Sequence, residues 1–311
     1  MTWRTRFAPA PTGYLHLGHV VNAIHVWGLA RAFGGEVVLR IEDHDRTRCR
    51  SEYESALLDD LDWLGFVPDI GTTDEFRHAP HARASSRSHP QRQSDNDARY
   101  AAALATLSAQ DLTYVCICTR REIAHHTPRT PDDEPRYPGT CRAATHAGTE
   151  SLARRVRLNE GVVPFIDGRL GPMQQSPLDQ CGDVLVRDRH GQWTYQFAVV
   201  VDDMAHNIDV VIRGEDLLAS TGRQLRIAAL LKRVRPLTWW HHPLLVHPDG
   251  AKLSKANRDT SICERRAAGA RAAELLGEAA FFSGLLPAAR DLTIDELPAL
   301  FHSDANAFSG K

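Results

Sequence analysis

Residues 6–19 read RFAPAPTGYLHLGH. Its prolines and glycines fix and bare the backbone of a loop that runs straight into VVNAIHVWGLARAF (20–33). That segment has apolar residues at helical spacing and stops at Gly34-Gly35. A helix N-terminus collects unpaired N–H groups and partial positive charge, so it attracts phosphate. His16 and His19 stand at that entry. On pattern alone three readings stay open: a polar helix start, a phosphate cradle, or a pair of metal ligands. The metal reading is the weakest because it needs a further ligand.

Outward from this stretch the pattern alternates. EVVLRI (36–41) predicts a buried strand, and SEYE (51–54) predicts a capping box with Ser51 as N-cap, opening a helix. Helix, strand, loop and helix make an α/β beginning. Residues 72–96 lack periodicity and predict a mobile surface insertion. A helix over 97–110 and a strand over 112–118 follow, then a Pro-rich loop (127–140) and short strands at ARRVRLN, VVPFID and DVLVRD. TYQFAVVVDD (194–203) predicts a strand passing into a helix or turn, NIDVVIRG a strand, and LLASTGRQLRIAALLKRV a helix. PLLVHPDGAKLSK predicts a strand, an Asp-Gly turn and a loop, and the tail 262–311 short helices.

Composition narrows the class. The chain has 311 residues, 42% hydrophobic and 24% charged, with a net charge of −2. This is ordinary globular composition, and any RNA contact would need a local basic patch. No apolar run reaches membrane length, and the N-terminus lacks a secretory h-region, so a cytoplasmic protein with no membrane partner is expected. Without secretion, Cys49, Cys116, Cys118, Cys141, Cys181 and Cys263 are free thiols or metal ligands rather than disulfides. Of 37 basic residues only Lys232, Lys252, Lys255 and Lys311 are lysines. The close pair in KLSK (252–255) is therefore unusual. Two ammonium groups and the Ser254 hydroxyl after an Asp-Gly turn suit a polyphosphate.

HLGH and KLSKA together resemble the two signature motifs of the class I aminoacyl-tRNA synthetases. The segments RFAPAPTGYLHLGH, LRIEDHDRTR, TYQFAVVVDD and VIRGEDLLAST are similar to the glutamate-specific branch, over roughly residues 4–260. The resemblance implies an α/β fold: a Rossmann-type nucleotide-binding parallel sheet with an inserted zinc-stapled subdomain and a short helical tail. The expected units are 1–110 and 191–260 for the two catalytic halves, 111–190 for the insertion and 261–311 for the tail. It assigns ATP, with Mg²⁺, to His16, His19, Lys252, Ser254 and Lys255. It assigns L-glutamate to Arg6, Phe7, Ala8, Pro9, Ala10, Glu42, Tyr195 and Arg213. Arginine suits a substrate carboxylate because its planar fork binds two oxygens. Glu42 would receive the α-ammonium group and Tyr195 a hydrogen bond. Ala10 departs from the branch, which has serine there, so one side-chain hydrogen bond is lost.

The spacing C-x-C (Cys116, Cys118) followed by Y-x₃-C (Tyr137, Cys141) offers three thiolates around a Pro-rich loop. His125, His126 or His146 would be chemically easier fourth ligands than a phenol. The same spacing resembles the short synthetases that glutamylate queuosine, in which tyrosine completes a structural Zn²⁺ site. Few residues follow Lys255, so a catalytic core without the helical anticodon-binding region is expected. The resemblance implies a monomer that activates glutamate without tRNA and transfers it to queuosine in the anticodon loop of tRNA(Asp), where unstacked nucleotides can be splayed into a site. The rival expectations are a shortened synthetase that charges tRNA(Glu), and a glutamate or nucleotide sensor without transfer.

Overall fold

A computed structural model describes residues 2–79, 89–126, 135–144, 146, 153–245, 260–304 and 308. Its first unit is β1 (Arg4–Phe7), α1 (Leu17–Ala32) and β2 (Glu36–Leu39). The two strands pair in parallel, from Arg4 opposite Glu36 to Phe7 opposite Leu39. Such pairing needs a crossover, and α1 supplies it. Helix α1 is buried on every side, from Val20 and Val21 to Leu29 and Ala30. An all-round apolar helix needs cover on all sides. The cover comes from β1 and β2, from β8 (Val210–Gly214), and from two elements that follow α9 (Ile262–Ala267), namely α10 (Ala272–Phe282) and a 3-10 stretch, Ile294–Asp304. Gly28 makes the closest of these contacts possible: a Cβ there would meet the Phe301 ring at 2.1 Å. The tail is helical, as the sequence predicts.

Between these ends lie α2 (Ser51–Leu64), α3 (Thr73–His78), α4 (Asp97–Ser108), β3 (Thr113–Val115), α5 (Arg120–His126), β4 (Arg154–Val156), β5 (Val163–Asp167), β6 (Gly171–Gln175), α6 (Pro177–Cys181), β7 (Val184–Arg187), α7 (Tyr195–Ala205), α8 (Thr221–Leu230) and β9 (Thr238–His242). Strands β3, β4 and β7 form one antiparallel sheet. A second sheet has the order β6-β5-β9-β8. There β8 and β5 run parallel to β9, while β6 returns antiparallel to β5. The Asp209 N–H donates to the Arg4 carbonyl at 2.8 Å, which ties the end of β8 to β1. The expected parallel pairing is present in β1 with β2 and in β9 with both β8 and β5, and β6 adds an antiparallel edge.

Several local expectations are corrected. Ser51 is not a capping residue: it is the first residue of α2, and Arg50 stands at the cap without a side-chain bond. Tyr195 opens a helix rather than a strand, because Thr194 takes the extended cap position and buried Phe197–Asp203 follow. Residues 72–79 and 89–96 are built structure rather than loose surface. Thr72 and Glu75 form a capping box, and Arg92 and Gln93 are buried. Strands β6 and β9 were not legible, since GPMQQ is polar and TWWHH is too short to show a period.

Candidate active site

His16 is the N-cap of α1, and its Nδ1 accepts from the Gly18 N–H at 3.1 Å. The Nδ1 of His19 accepts from the His16 N–H at 3.1 Å. Two histidines therefore make a reciprocal capping box of the kind usually built from Ser/Thr and Glu. The rings lie 4.1 Å apart, and Gly18 permits this, since a Cβ there would stand 3.0 Å from the His16 ring. With both Nδ1 atoms accepting, each neutral ring carries its hydrogen on Nε2. The helix-start and anion readings are therefore compatible: one nitrogen caps and the other can donate.

Both histidines line a cavity of about 400 Å³ whose other walls include Asn22, Arg213, Gly214, Asp216, His242 and Leu245. It opens at the C-terminal ends of β8 and β9, beside the start of α1. Lys252, Ser254 and Lys255 lie outside the described residues. The flanks of their segment are described. Leu245 lines the cavity, and the Ile262 N–H donates to the Leu15 carbonyl at 2.8 Å, next to His16.

Beside the cavity lies a layer of buried charge. Arg40 Nη1 bonds Asp203 at 2.6 Å and Nη2 bonds Glu42 at 2.9 Å. Arg6 Nε reaches the same Asp203 at 3.3 Å, and its Nη1 bonds the Ile212 carbonyl at 3.1 Å. Burial acts to raise the Asp203 pKa, but the guanidinium groups of Arg40 and Arg6 overcome it and hold the carboxyl below its usual range. Backbone bonds carry the 7–10 segment alongside β2 and its extension: the Arg40 N–H donates to Phe7 O at 2.9 Å and the Glu42 N–H to Pro9 O at 3.0 Å. Ala8 and Ala10 are half-buried in this strip.

Arg213 differs. It is 3% exposed, and among the described residues it has no carboxylate within ion-pair distance. Its partners are neutral: His241 Nε2 at 3.1 Å, Gln224 Oε1 at 2.7 Å, the Leu217 carbonyl at 3.0 Å and Thr221 Oγ1 at 2.9 Å. Its guanidinium carbon stands 4.7 Å over the Trp239 ring. Burial pushes its pKa down to about 10, so it remains charged at neutrality. Burial also raises the Tyr195 hydroxyl, and the charges of Arg213, Glu42, Arg6 and Asp203 all act on it, which places this phenol among them.

At the antiparallel sheet the Sγ atoms of Cys116, Cys118 and Cys141 all lie within 4.8 Å of one another. The Tyr137 Oη stands 3.7 Å from Cys116 Sγ and 3.9 Å from Cys118 Sγ, while Cys118 and Cys141 are 3.5 Å apart. A tetrahedral site with metal–sulfur bonds of about 2.3 Å has edges of about 3.8 Å. The three sulfurs and the phenol oxygen could hold such an ion. Tyr137 Oη also accepts the Cys141 N–H at 2.8 Å, which stabilises charge on that oxygen. Arg155 lies 3.6 Å over the Tyr137 ring and donates from Nε to Cys116 Sγ at 3.3 Å. A cation here offsets the charge of several thiolates. Burial acts to raise Cys141, but hydrogen bonds from Ile117, Cys118, Tyr137 and His146 bring it down to about 6. His125 and His126 are exposed at the end of α5.

Residues 2–275 match the family of class I tRNA synthetases (E and Q), catalytic domain. A glutamyl-Q tRNA(Asp) synthetase of Nitratidesulfovibrio vulgaris is 38% identical over 91% of this chain and 87% of its own. One from Symbiobacterium thermophilum is 37% identical over 95% and 91%. The chain belongs to the glutamyl-Q tRNA(Asp) synthetase family. Solved glutamate–tRNA ligases show the same fold. The enzyme of Elizabethkingia meningosepticum, in complex with its amino acid, gives a TM-score of 0.76 at 23% identity, and that of Elizabethkingia anophelis 0.77 at 24%. This chain is covered to 98% in both, but spans only 65% and 66% of those longer chains.

As a member of a ligase family, the chain brings its motifs together in space. His16, His19 and Arg213 share one cavity wall, and Arg6, Glu42 and Tyr195 stand in the adjoining charge layer. Sequence reasoning missed the residues that hold these groups. Arg40 and Asp203 lie inside quoted motifs, yet nothing in their letters marks them as partners. Asp167, Thr221, Gln224 and His241 come from three elements, β5, α8 and β9, and nothing in their letters marks them as partners of Arg213. Among the described residues, no helix is long and apolar enough to cross a membrane.

Proposed function

We propose that this chain activates L-glutamate with ATP and transfers it to queuosine in tRNA(Asp). The observation that carries the reading is Arg213, a buried cation with neutral partners beside the two-histidine cap. A buried charge without a counter-ion is costly, and a bound carboxylate would relieve that cost. Arg6, Arg213 and Tyr195 take the carboxylate of glutamate, and Glu42 its ammonium group, with the backbone of Phe7, Ala8, Pro9 and Ala10 along the side. An α-carboxylate oxygen attacks the α-phosphorus of ATP. That P–O bond forms, the bond to the bridging oxygen breaks, and pyrophosphate leaves with the electron pair. The Nε2–H groups of His16 and His19, with Lys252, Ser254 and Lys255, hold phosphate oxygens as charge moves to the leaving group. Mg²⁺ carried on the ATP phosphates would screen their charge. A hydroxyl of queuosine then attacks the adenylate carbonyl and AMP leaves. Much of the rate comes from alignment, because neither step needs a covalent enzyme intermediate.

Cys116, Cys118, Tyr137 and Cys141 would hold a structural Zn²⁺ that staples the loop between them. About one zinc per chain by elemental analysis, lost in Cys116→Ser, is the expected result. Full retention in that variant would remove the cluster from consideration.

The decisive assay is glutamate-dependent ATP–pyrophosphate exchange without tRNA, followed by transfer of labelled glutamate. Exchange, with label on queuosine-containing tRNA(Asp) and none on queuosine-free tRNA(Asp), is expected. Label on tRNA(Glu) instead would assign the chain to the tRNA-charging alternative. Tight glutamate binding without exchange would make it a sensor.

A further inference from the structure

We propose that Asp167 and His241 are positioning residues that fix Arg213 through the tautomer of one imidazole. The kinetic consequence rests on the glutamate reading above; the tautomer itself does not.

Asp167 ends β5 and is fully committed. Its Oδ1 accepts the Arg169 and Leu170 N–H groups at 3.0 and 2.9 Å. Its Oδ2 accepts the His241 N–H at 3.1 Å and faces His241 Nδ1 at 2.6 Å. His241 lies in β9 and is fully buried. A carboxylate only accepts, so Nδ1 of the ring must carry the hydrogen. Burial keeps the imidazole neutral by pushing its pKa below the ordinary value, against the pull of Asp167. Nε2 is then a bare lone pair. It accepts the Arg213 Nε–H at 3.1 Å, and Thr221 Oγ1 lies 3.3 Å from it. The same Thr221 oxygen accepts from Arg213 Nη2 at 2.9 Å, so its own hydrogen is available to Nε2. Arg213, Thr221 and His241 close a small hydrogen-bonded ring that works with one tautomer and fails with the other. Trp239, stacked on the His241 ring at 6.1 Å, lies under the guanidinium as well.

The arrangement has a second effect. The Asp167 carboxylate sits one imidazole away from Arg213. It offers partial charge compensation without forming a direct ion pair, and the guanidinium keeps its charge for an incoming anion.

Asp167→Asn tests this directly. The amide oxygen will stay with the two backbone N–H groups at the Oδ1 position, so its NH₂ will face His241 Nδ1. The ring must then accept at Nδ1 and carry its hydrogen on Nε2, against the Arg213 Nε–H. The same inversion disables the histidine of a serine-protease triad when its aspartate becomes asparagine. Long-range ¹H–¹⁵N correlation on histidine-labelled protein reads the tautomer without substrate, with His241→Gln supplying the assignment. The Nδ1–H form in the wild type and the Nε2–H form in Asp167→Asn are expected. In exchange kinetics the glutamate KM should rise at least about tenfold in Asp167→Asn, while KM for ATP and kcat change less than about threefold. His241→Gln retains an oxygen acceptor for Arg213 and should stay within about threefold of wild type, whereas His241→Leu should match Asp167→Asn. An unchanged tautomer in Asp167→Asn, or equal losses in the Gln and Leu variants, would overturn the proposal. If the wild type shows no exchange, the glutamate reading fails and the NMR result still decides the relay.

Discussion

Arg40 and Arg213 are both buried arginines, one in the charge layer and one in the cavity wall, yet their surroundings are opposite. Arg40 is matched by two carboxylates, Glu42 and Asp203, at 2.9 and 2.6 Å. Burial alone would lower its pKa, but these charges overcome that and raise it. Arg213 meets a histidine, an amide, a carbonyl and a hydroxyl, and burial pushes it down to about 10. The first is a finished ion pair that holds α7 to β2. The second is oriented and unneutralised. Equal burial thus marks two roles, and the absence of a partner charge separates the group that holds the fold from the group that awaits a ligand.

The comparison is broken most forcefully at Arg40. Arg40→Met leaves Glu42 without its cation and Asp203 with only the longer contact to Arg6, which costs about 3–5 kcal/mol. Denaturant unfolding should show that loss. A loss under about 1 kcal/mol would mean that Arg40 is not the structural member of the pair.

Arg213→Met has the reverse signature. Its neutral partners lose hydrogen bonds, at about 1–3 kcal/mol for those left unsatisfied, so the stability loss should be smaller than that of Arg40→Met. Glutamate binding should suffer more. Removing a desolvated charge-assisted contact should raise the glutamate KM about 100-fold, near 2.7 kcal/mol. Equal KM increases for glutamate and ATP would show general damage to the cavity instead.

How far such distinctions were legible depends on distance along the chain. HLGH, the thiols and the α/β alternation are local patterns, and local patterns survive in a string of letters. The helix-starting and anion-holding roles of His16 could not be separated by spacing, because one imidazole serves both through different nitrogens. SEYE had the letters of a capping box without becoming one, whereas HLGH became one without the letters. Arg213 could be matched to a motif. Its lack of a carboxylate could not be read, since that depends on what His241, Gln224, Thr221 and Leu217 bring from β9, α8 and the turn after β8. Asp167 is invisible for the same reason: 74 positions separate it from the imidazole it orients.

Asp60 sharpens the comparison from the other side. It lies in α2, is fully buried, and neither carboxylate oxygen has a hydrogen-bond partner among the described residues. Arg266 approaches one oxygen at 3.3 Å, and its own side chain is partly in solvent. Burial raises the Asp60 pKa from 3.8 to about 6, with Arg266 opposing. Asp60 lines none of the cavities among the described residues, so its missing hydrogen bonds are a cost to folding rather than an invitation to a ligand. Because the folded-state pKa lies above the unfolded one, the ionised form is the disfavoured one. Stability from this group is complete below about pH 4 and is lost as the pH rises through about 6. Asp60→Asn removes the ionisation at little change in shape. With Arg266 and solvent screening allowed for, it should stabilise the protein by about 1 kcal/mol at pH 8 and by much less at pH 4. Melting curves at the two pH values, with glutamate KM measured in parallel, provide the check. A gain that is independent of pH would show that the Asp60 pKa does not change on folding. A rise in glutamate KM would mean that Asp60 serves the site, and that lying outside the cavity does not mark a buried charge as scaffold.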